Sequence, residues 1–215
     1  MSSRFHSRFV NALTFSRVPL IFAFMVCAVL GHRASCACAK AWLSVAACVL
    51  MGLAGITDLA DGKLARRWGV VSAFGKLADP LMDKVFFIVS FPTLLWLIGK
   101  QGENAVHFTV MLAFTVLYIL RDQWVTFLRA VASTYHADVS AMWLGKVRTA
   151  LSFPAAGLIY LYLAIHGYLP ADWNGPFLAA IYFVEAFLIV LNVYSYIVYT
   201  HAYWPYIRRA IDGDG

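Results

Sequence analysis

Charge is what this chain has least of: 13% of its residues are Asp, Glu, Lys or Arg, against about 25% in a typical soluble domain. With 62% of residues hydrophobic, that scarcity excludes an ordinary soluble globular protein and leaves an integral membrane protein. No internal repeat and no low-complexity linker interrupts the chain, and its loops are short, so residues 1–215 read as a single helical membrane domain. No small-residue cleavage site follows the first apolar run, so the basic start, residues 1–9, reads as a short interfacial segment ahead of an uncleaved first helix. The six histidines lack ligand spacing, and the four cysteines build no framework. Cys27 and Cys48 lie inside apolar runs as packed thiols, while Cys36 and Cys38 share a short outward loop where a disulfide stays open and His32 is the only nearby extra zinc ligand. Nothing in the charge pattern suggests nucleic-acid binding.

What is present is a set of long apolar runs, at roughly 10–31, 39–57, 80–99, 107–128, 149–166 and 177–200, each near the ~20 residues a spanning helix needs. The expected fold is therefore all-α, a polytopic protein with six transmembrane helices. Arg33, Lys40 and Lys100 fall on one side and the other 14 of the 17 basic residues on the opposite side or in helix ends facing it. Cytoplasmic ends retain Lys and Arg, so both termini are expected in the cytoplasm. The C-terminal tail, 201–215, carries Tyr203, Trp204, Tyr206, Arg208 and Arg209, the aromatic-then-basic pattern of an inner interface. Trp42, Trp96, Trp124, Trp143, Trp173 and Trp204 read as belt anchors, and 167–170 and 174–176 as turns. Glu185, inside the last apolar run, has no assigned role.

Against this background four carboxylates stand out. Asp58 and Asp61 are three apart, with Gly62 and Ala65 on the same helical face, and Asp79 and Asp83 are four apart on the next helix. Two such pairs can supply one cluster, which would repel itself at the edge of a low-dielectric slab unless protonated or metal-bound. Oxygen ligands without His or Cys favour Mg2+ or Mn2+ over zinc. Carboxylates bridging two divalent ions, with Gly62 and Ala65 permitting close approach and Arg66 able to fork onto a phosphate, suit a diphosphate. The implied chemistry is phosphoryl transfer at the membrane surface. Asp79 precedes Pro80, a common helix start, but N-capping would explain only that one aspartate. A cation transporter would call for carboxylates near the bilayer midplane on a discontinuous helix, whereas these sit beside the basic inner interface.

The eight residues Asp58, Asp61, Gly62, Ala65, Arg66, Gly75, Asp79 and Asp83 match every fixed position of D-x2-D-G-x2-A-R-x8-G-x3-D-x3-D, and the chain thereby resembles the CDP-alcohol phosphotransferases. At about 5–8% background per position, a chance match in a given window is on the order of one in a billion. The resemblance implies a six-helix, usually dimeric membrane enzyme that moves a phosphatidyl or similar group from a CDP-linked donor to an alcohol and releases CMP. It implies Asp58, Asp61 and Asp79 as metal ligands, Asp83 completing the metal site and acting as the base, and Gly62, Ala65, Arg66 and Gly75 shaping the cytidine diphosphate pocket.

Three further stretches resemble the bacterial phosphatidylglycerophosphate synthases: Asn11-Ala12-Leu13-Thr14 with Arg17; Arg121-Asp122 with Val125, Leu128 and Arg129; and Val139-Ser140-Ala141 followed by Gly145-Lys146-Val147-Arg148-Thr149. Val10 stands where those enzymes commonly have Pro, and Arg148 where they have Lys. This resemblance implies CDP-diacylglycerol as donor, sn-glycerol 3-phosphate as acceptor, a homodimer, and a bacterial inner membrane with the site facing the cytoplasm. An acceptor bearing its own phosphate needs cations, and Arg121, Arg129, Lys146 and Arg148 lie on or near the inner ends of the fourth and fifth helices. Snorkelling to headgroups also accounts for basic residues there. Arg17 reads equally as a phosphate contact or a snorkelling anchor. Inositol phosphate, serine or another alcohol remain as alternative acceptors, the uncharged and zwitterionic ones being disfavoured by the basic cluster.

Overall fold

The apolar runs fold into six α-helices: α1 (Ser2–Arg33), α2 (Ala37–Trp68), α3 (Ala73–Gln101), α4 (Ala105–Thr134), α5 (Trp143–Ile165) and α6 (Ala171–Asp212), with a 3-10 turn, His166–Tyr168, before the last. The computed structural model describes residues 2–70, 73–102, 104–137 and 142–213, with side chains at all of these but 2–4, 73, 74, 76 and 77. Among the described residues there is no strand, and the six helices are long and apolar enough to cross a membrane. Large apolar side chains such as Ile56, Leu59, Phe183 and Val190 face outward, as lipid contact requires.

Each helix outruns the apolar stretch that marks it, and the extensions carry polar residues that matter. α2 continues through the acidic motif and stops at Gly69, whose φ of 63° lies in the left-handed region that glycine enters without a Cβ penalty. Gly69 N–H donates to Arg66 O at 3.3 Å and Val70 N–H to Ala65 O at 3.1 Å, a Schellman closure that satisfies carbonyls the helix end would otherwise strand. α3 begins at Ala73, so Asp79 is a residue of its second turn rather than a cap, and Pro80 lies inside the helix. The 174–176 segment likewise belongs to α6, whose N-cap is Pro170, instead of forming a turn. Prolines inside helices cost ladder hydrogen bonds that neighbouring groups in a membrane protein can compensate.

Two compact units emerge, one comprising Met1–Glu103 and Ala156–Leu169 and the other Asn104–Ala155 and Pro170–Gly215. In the first, α1 packs on α2 and α3. Gly31 lies so close to α2 that an added Cβ would meet Leu43 Cβ at 3.2 Å, the small-residue contact by which membrane helices approach. Ile21 and Phe24 of α1, Ala47 and Ala54 of α2, and Phe86 and Phe91 of α3 are buried, and Phe24 meets Tyr160 of α5 edge-on at 5.1 Å. At the start of α1, His6 stacks on Trp68 at 4.4 Å.

In the second unit α4 packs on α6 around Val125, Leu128, Ala132, Tyr199 and Tyr203. Further along the same interface lies a polar pair, His107 of α4 and Glu185 of α6, with Nε2 and Oε1 3.1 Å apart and Glu185 0% exposed. Asn104 caps α4 by accepting from His107 N–H at 2.9 Å, so the imidazole is anchored at a helix start. Glu185→Leu is expected to lower the melting temperature in detergent, because it removes a buried hydrogen bond worth about 1–3 kcal/mol when broken from one side; Glu185→Gln should retain most of the parent's stability. A thermal melt of the two variants beside the parent checks this.

Candidate active site

Helix periodicity and the packing of three helices together assemble the first polar centre. Thr14 and Arg17 are one turn apart on α1, Asp58 and Asp61 one turn apart on α2, and Asp79 and Asp83 one turn apart on α3. The packing of α1 on α2 and α3 sets all six against one another. Arg17, 1% exposed, is the hub: Nη1 donates to Asp58 Oδ1 at 2.6 Å and to Asp83 Oδ1 at 2.9 Å, and Nη2 donates to Asp61 Oδ2 at 2.9 Å. Asp79 Oδ1 stands 3.8 Å from the same Nη2. Thr14 Oγ1 donates to Asp61 Oδ2 at 2.7 Å. Asp61 is the inner member, 4% exposed, and Asp79, at 49%, the outer.

Charge decides what this centre can do. One guanidinium cannot neutralise four carboxylates in a low-dielectric slab, and the unmet negative charge is of the kind that divalent cations relieve. The donor set, oxygen only, fits a hard cation. Among the described residues, no three carboxylate, imidazole or thiol groups stand ready around one vacant point; the point on which the aspartates converge is filled by Arg17. Around it, Gly62 and Ala65 lie half-buried on α2 and Gly75 half-buried in the first turn of α3. Exposed Arg66 folds back so that its two Nη atoms lie 3.7 Å from where a Gly62 Cβ would be.

A second centre forms inside the other unit. Arg121 of α4 and Arg148 of α5 are both buried and share Asp122: Arg148 Nη2 donates to Asp122 Oδ1 at 2.7 Å and Arg121 Nη1 to the same oxygen at 3.3 Å. Arg148 Nη1 donates to Asn192 Oδ1 at 3.1 Å, and Arg121 Nε to Ser195 Oγ at 3.1 Å. Each guanidinium also lies over a ring, Arg148 over Tyr118 at 4.1 Å and Arg121 over Tyr199 at 4.9 Å. Two cations with one carboxylate leave the cluster net positive, which suits an anion.

The structure thus brings together all four motif aspartates, and separately Arg121 with Arg148. Lys146 is exposed in the first turn of α5, and Arg129 is half-buried on α4 two turns beyond Arg121. Arg17 joins the aspartates. Val139, Ser140 and Ala141 lie outside the described residues. Sequence reasoning missed Asn192, Ser195 and Tyr199; the signal was their spacing of three and four, a polar stripe along one face of an otherwise apolar helix. It also assigned Thr14 no contact. All four cysteines are free thiols.

The family model for CDP-alcohol phosphatidyltransferase matches residues 9–204. The chain is 30% identical over 148 residues to a CDP-diacylglycerol–glycerol-3-phosphate 3-phosphatidyltransferase of Rickettsia felis, covering 69% of this chain and 75% of that protein. It is 30% identical over 207 residues to a probable phosphatidylglycerophosphate synthase of Mycobacterium tuberculosis, covering 95% and 82%. A probable cardiolipin synthase (CMP-forming) of Drosophila melanogaster is 30% identical over 169 residues, covering 74% and 51%. No solved structure matches.

Proposed function

The chain belongs to the CDP-alcohol phosphatidyltransferase family, and from that premise we propose that it transfers the phosphatidyl group of CDP-diacylglycerol to sn-glycerol 3-phosphate, giving phosphatidylglycerophosphate and CMP. The observation that carries the chemistry is the convergence of Asp58, Asp61, Asp79 and Asp83 on one point. The acceptor rests on the names of the bacterial relatives and on the net positive centre at Arg121 and Arg148.

Members of this family generally use a divalent metal. Held by Asp58, Asp61, Asp79 and Asp83, Mg2+ or Mn2+, two ions in our reading, would neutralise the diphosphate and stabilise charge on the departing CMP. The chain's own groups do the rest. Gly62, Ala65 and Gly75 leave room for the cytidine diphosphate, and Arg66 forks onto its phosphates. Asp83 holds Arg17 through Oδ1 and takes the proton of the acceptor's primary hydroxyl at Oδ2. The hydroxyl oxygen bonds to the phosphorus bearing the diacylglycerol as the bond from that phosphorus to CMP breaks. Arg121, Arg148 and Lys146, with Arg129, receive the acceptor's phosphate. We read the enzyme as a homodimer in the bacterial inner membrane with its site toward the cytoplasm, on the bias of its basic residues and its likeness to bacterial enzymes.

The relative named as a cardiolipin synthase favours a second reading, in which the acceptor is phosphatidylglycerol. CMP release by the purified, detergent-solubilised protein with CDP-diacylglycerol and Mg2+ separates them. Glycerol 3-phosphate is expected to stimulate release, with phosphatidylglycerol, inositol 1-phosphate and serine at background and chelation abolishing the activity. Stimulation by phosphatidylglycerol alone would replace the acceptor and keep the chemistry.

A further inference from the structure

Tyr199 of α6 touches every element that carries an acceptor-side cation in the second unit. Its hydroxyl accepts the backbone N–H of Met142, the residue before α5, at 3.0 Å. Its ring lies under the Arg121 guanidinium of α4 at 4.9 Å. Gly145, in the first turn of α5, approaches so closely that a Cβ there would sit 2.7 Å from the Tyr199 hydroxyl oxygen, 3.6 Å from Cζ and 3.6 Å from Arg121 Nη2. Met142 N–H is one of the orphan donors of a helix start, and α5 receives its partner from another helix rather than from its own cap. Lys146 follows Gly145 directly, and Arg148 lies two residues further on.

Packing alone would not select this side chain. The ring of Tyr199 lies in an apolar cluster with Val125, Leu128, Ala132 and Tyr203, a role phenylalanine fills equally well. The hydroxyl is what reaches Met142, and the missing side chain of Gly145 is what leaves room for it. We propose that Tyr199 is a positioning residue: through its hydroxyl it fixes the first turn of α5 against Arg121 and so sets Lys146 and Arg148 for the acceptor's phosphate. The inference rests on the acceptor reading above.

The test is steady-state kinetics of the full-length protein with CDP-diacylglycerol and glycerol 3-phosphate, on Tyr199→Phe, Gly145→Ala and the double variant. Tyr199→Phe is expected to raise KM for glycerol 3-phosphate about three- to tenfold, the range one hydrogen bond supports, with kcat and the KM for CDP-diacylglycerol within twofold. Gly145→Ala, which drives a methyl into the hydroxyl, should do at least as much. In the double variant the hydroxyl is gone and the methyl finds ordinary contact, so the two effects should not multiply. An unchanged KM in Tyr199→Phe, equal loss toward both substrates, or multiplicative effects would overturn the proposal. Absence of glycerol 3-phosphate stimulation in the parent would instead remove the acceptor reading, and this inference with it.

Discussion

Asp83→Asn is expected to cut CMP release by on the order of 10²- to 10⁴-fold, the contribution of a positioned general base, while the protein stays folded. Asparagine keeps a carbonyl oxygen where Asp83 Oδ1 accepts from Arg17 at 2.9 Å, so the centre retains that contact and loses the group that can take up a proton, together with one of the four negative charges that would hold the metal. Asp83 is partly open, its side chain 30% exposed, which makes it reachable by an acceptor, whereas Asp61 is enclosed beneath Thr14 and Arg17. CMP release with saturating Mg2+, beside circular dichroism and a thermal melt, checks the prediction. A variant retaining activity within about tenfold of the parent would remove Asp83 as the base, and a variant that fails to fold would show that its carboxylate is structural.

Arg17→Met is expected to lower the melting temperature sharply in EDTA and to gain far more from Mn2+ than the parent does. The guanidinium is the counter-charge that three carboxylates contact within 2.9 Å. Methionine replaces its length and apolar stem but none of its charge, and breaking a buried ion pair from one side costs about 3–5 kcal/mol. A divalent ion supplies the missing positive charge, and with Arg17 gone it no longer competes for the same oxygens. Melts with EDTA and with Mn2+, together with Mn2+ titration followed by electron paramagnetic resonance, read this without reference to turnover. A variant as stable as the parent in EDTA, or one that Mn2+ fails to rescue, would overturn the view that these carboxylates hold a divalent ion.

The acidic centre was the most legible part of the chain, because its residues obey helix spacing within each segment: three apart on α2, four apart on α3. Thr14 and Arg17 were visible as a spaced pair, but which charge they served was not. A buried arginine near an inner interface reads the same in sequence whether it meets phosphate, headgroup or carboxylate. The basic centre was half legible. Arg121 and Arg148 were named, with Arg129 and Lys146, as basic residues at helix ends, but their partners Asn192 and Ser195 come from α6, where uncharged polar residues are diluted in a run apolar overall. The same dilution hid the pairing of His107 with Glu185, 78 positions apart. Helix boundaries were misjudged at prolines, Asp79-Pro80 reading as a helix start and 174–176 as a turn although both lie inside helices, because within a packed membrane protein neighbouring groups compensate the lost backbone hydrogen bond.

Composition and periodicity by themselves determined that this is an all-helical membrane protein with six spans, and the aspartate motif determined its reaction class. Both follow from local rules, since apolar length sets a span and the helical repeat puts residues three and four apart on one face. Only the tertiary structure decided that Arg17 stands among the four aspartates, that Asp122 is divided between two arginines, and that a tyrosine hydroxyl rather than a capping side chain holds the start of α5. Those pairings depend on which faces of distant helices pack together, and in a chain this apolar nearly every face is greasy enough to pack.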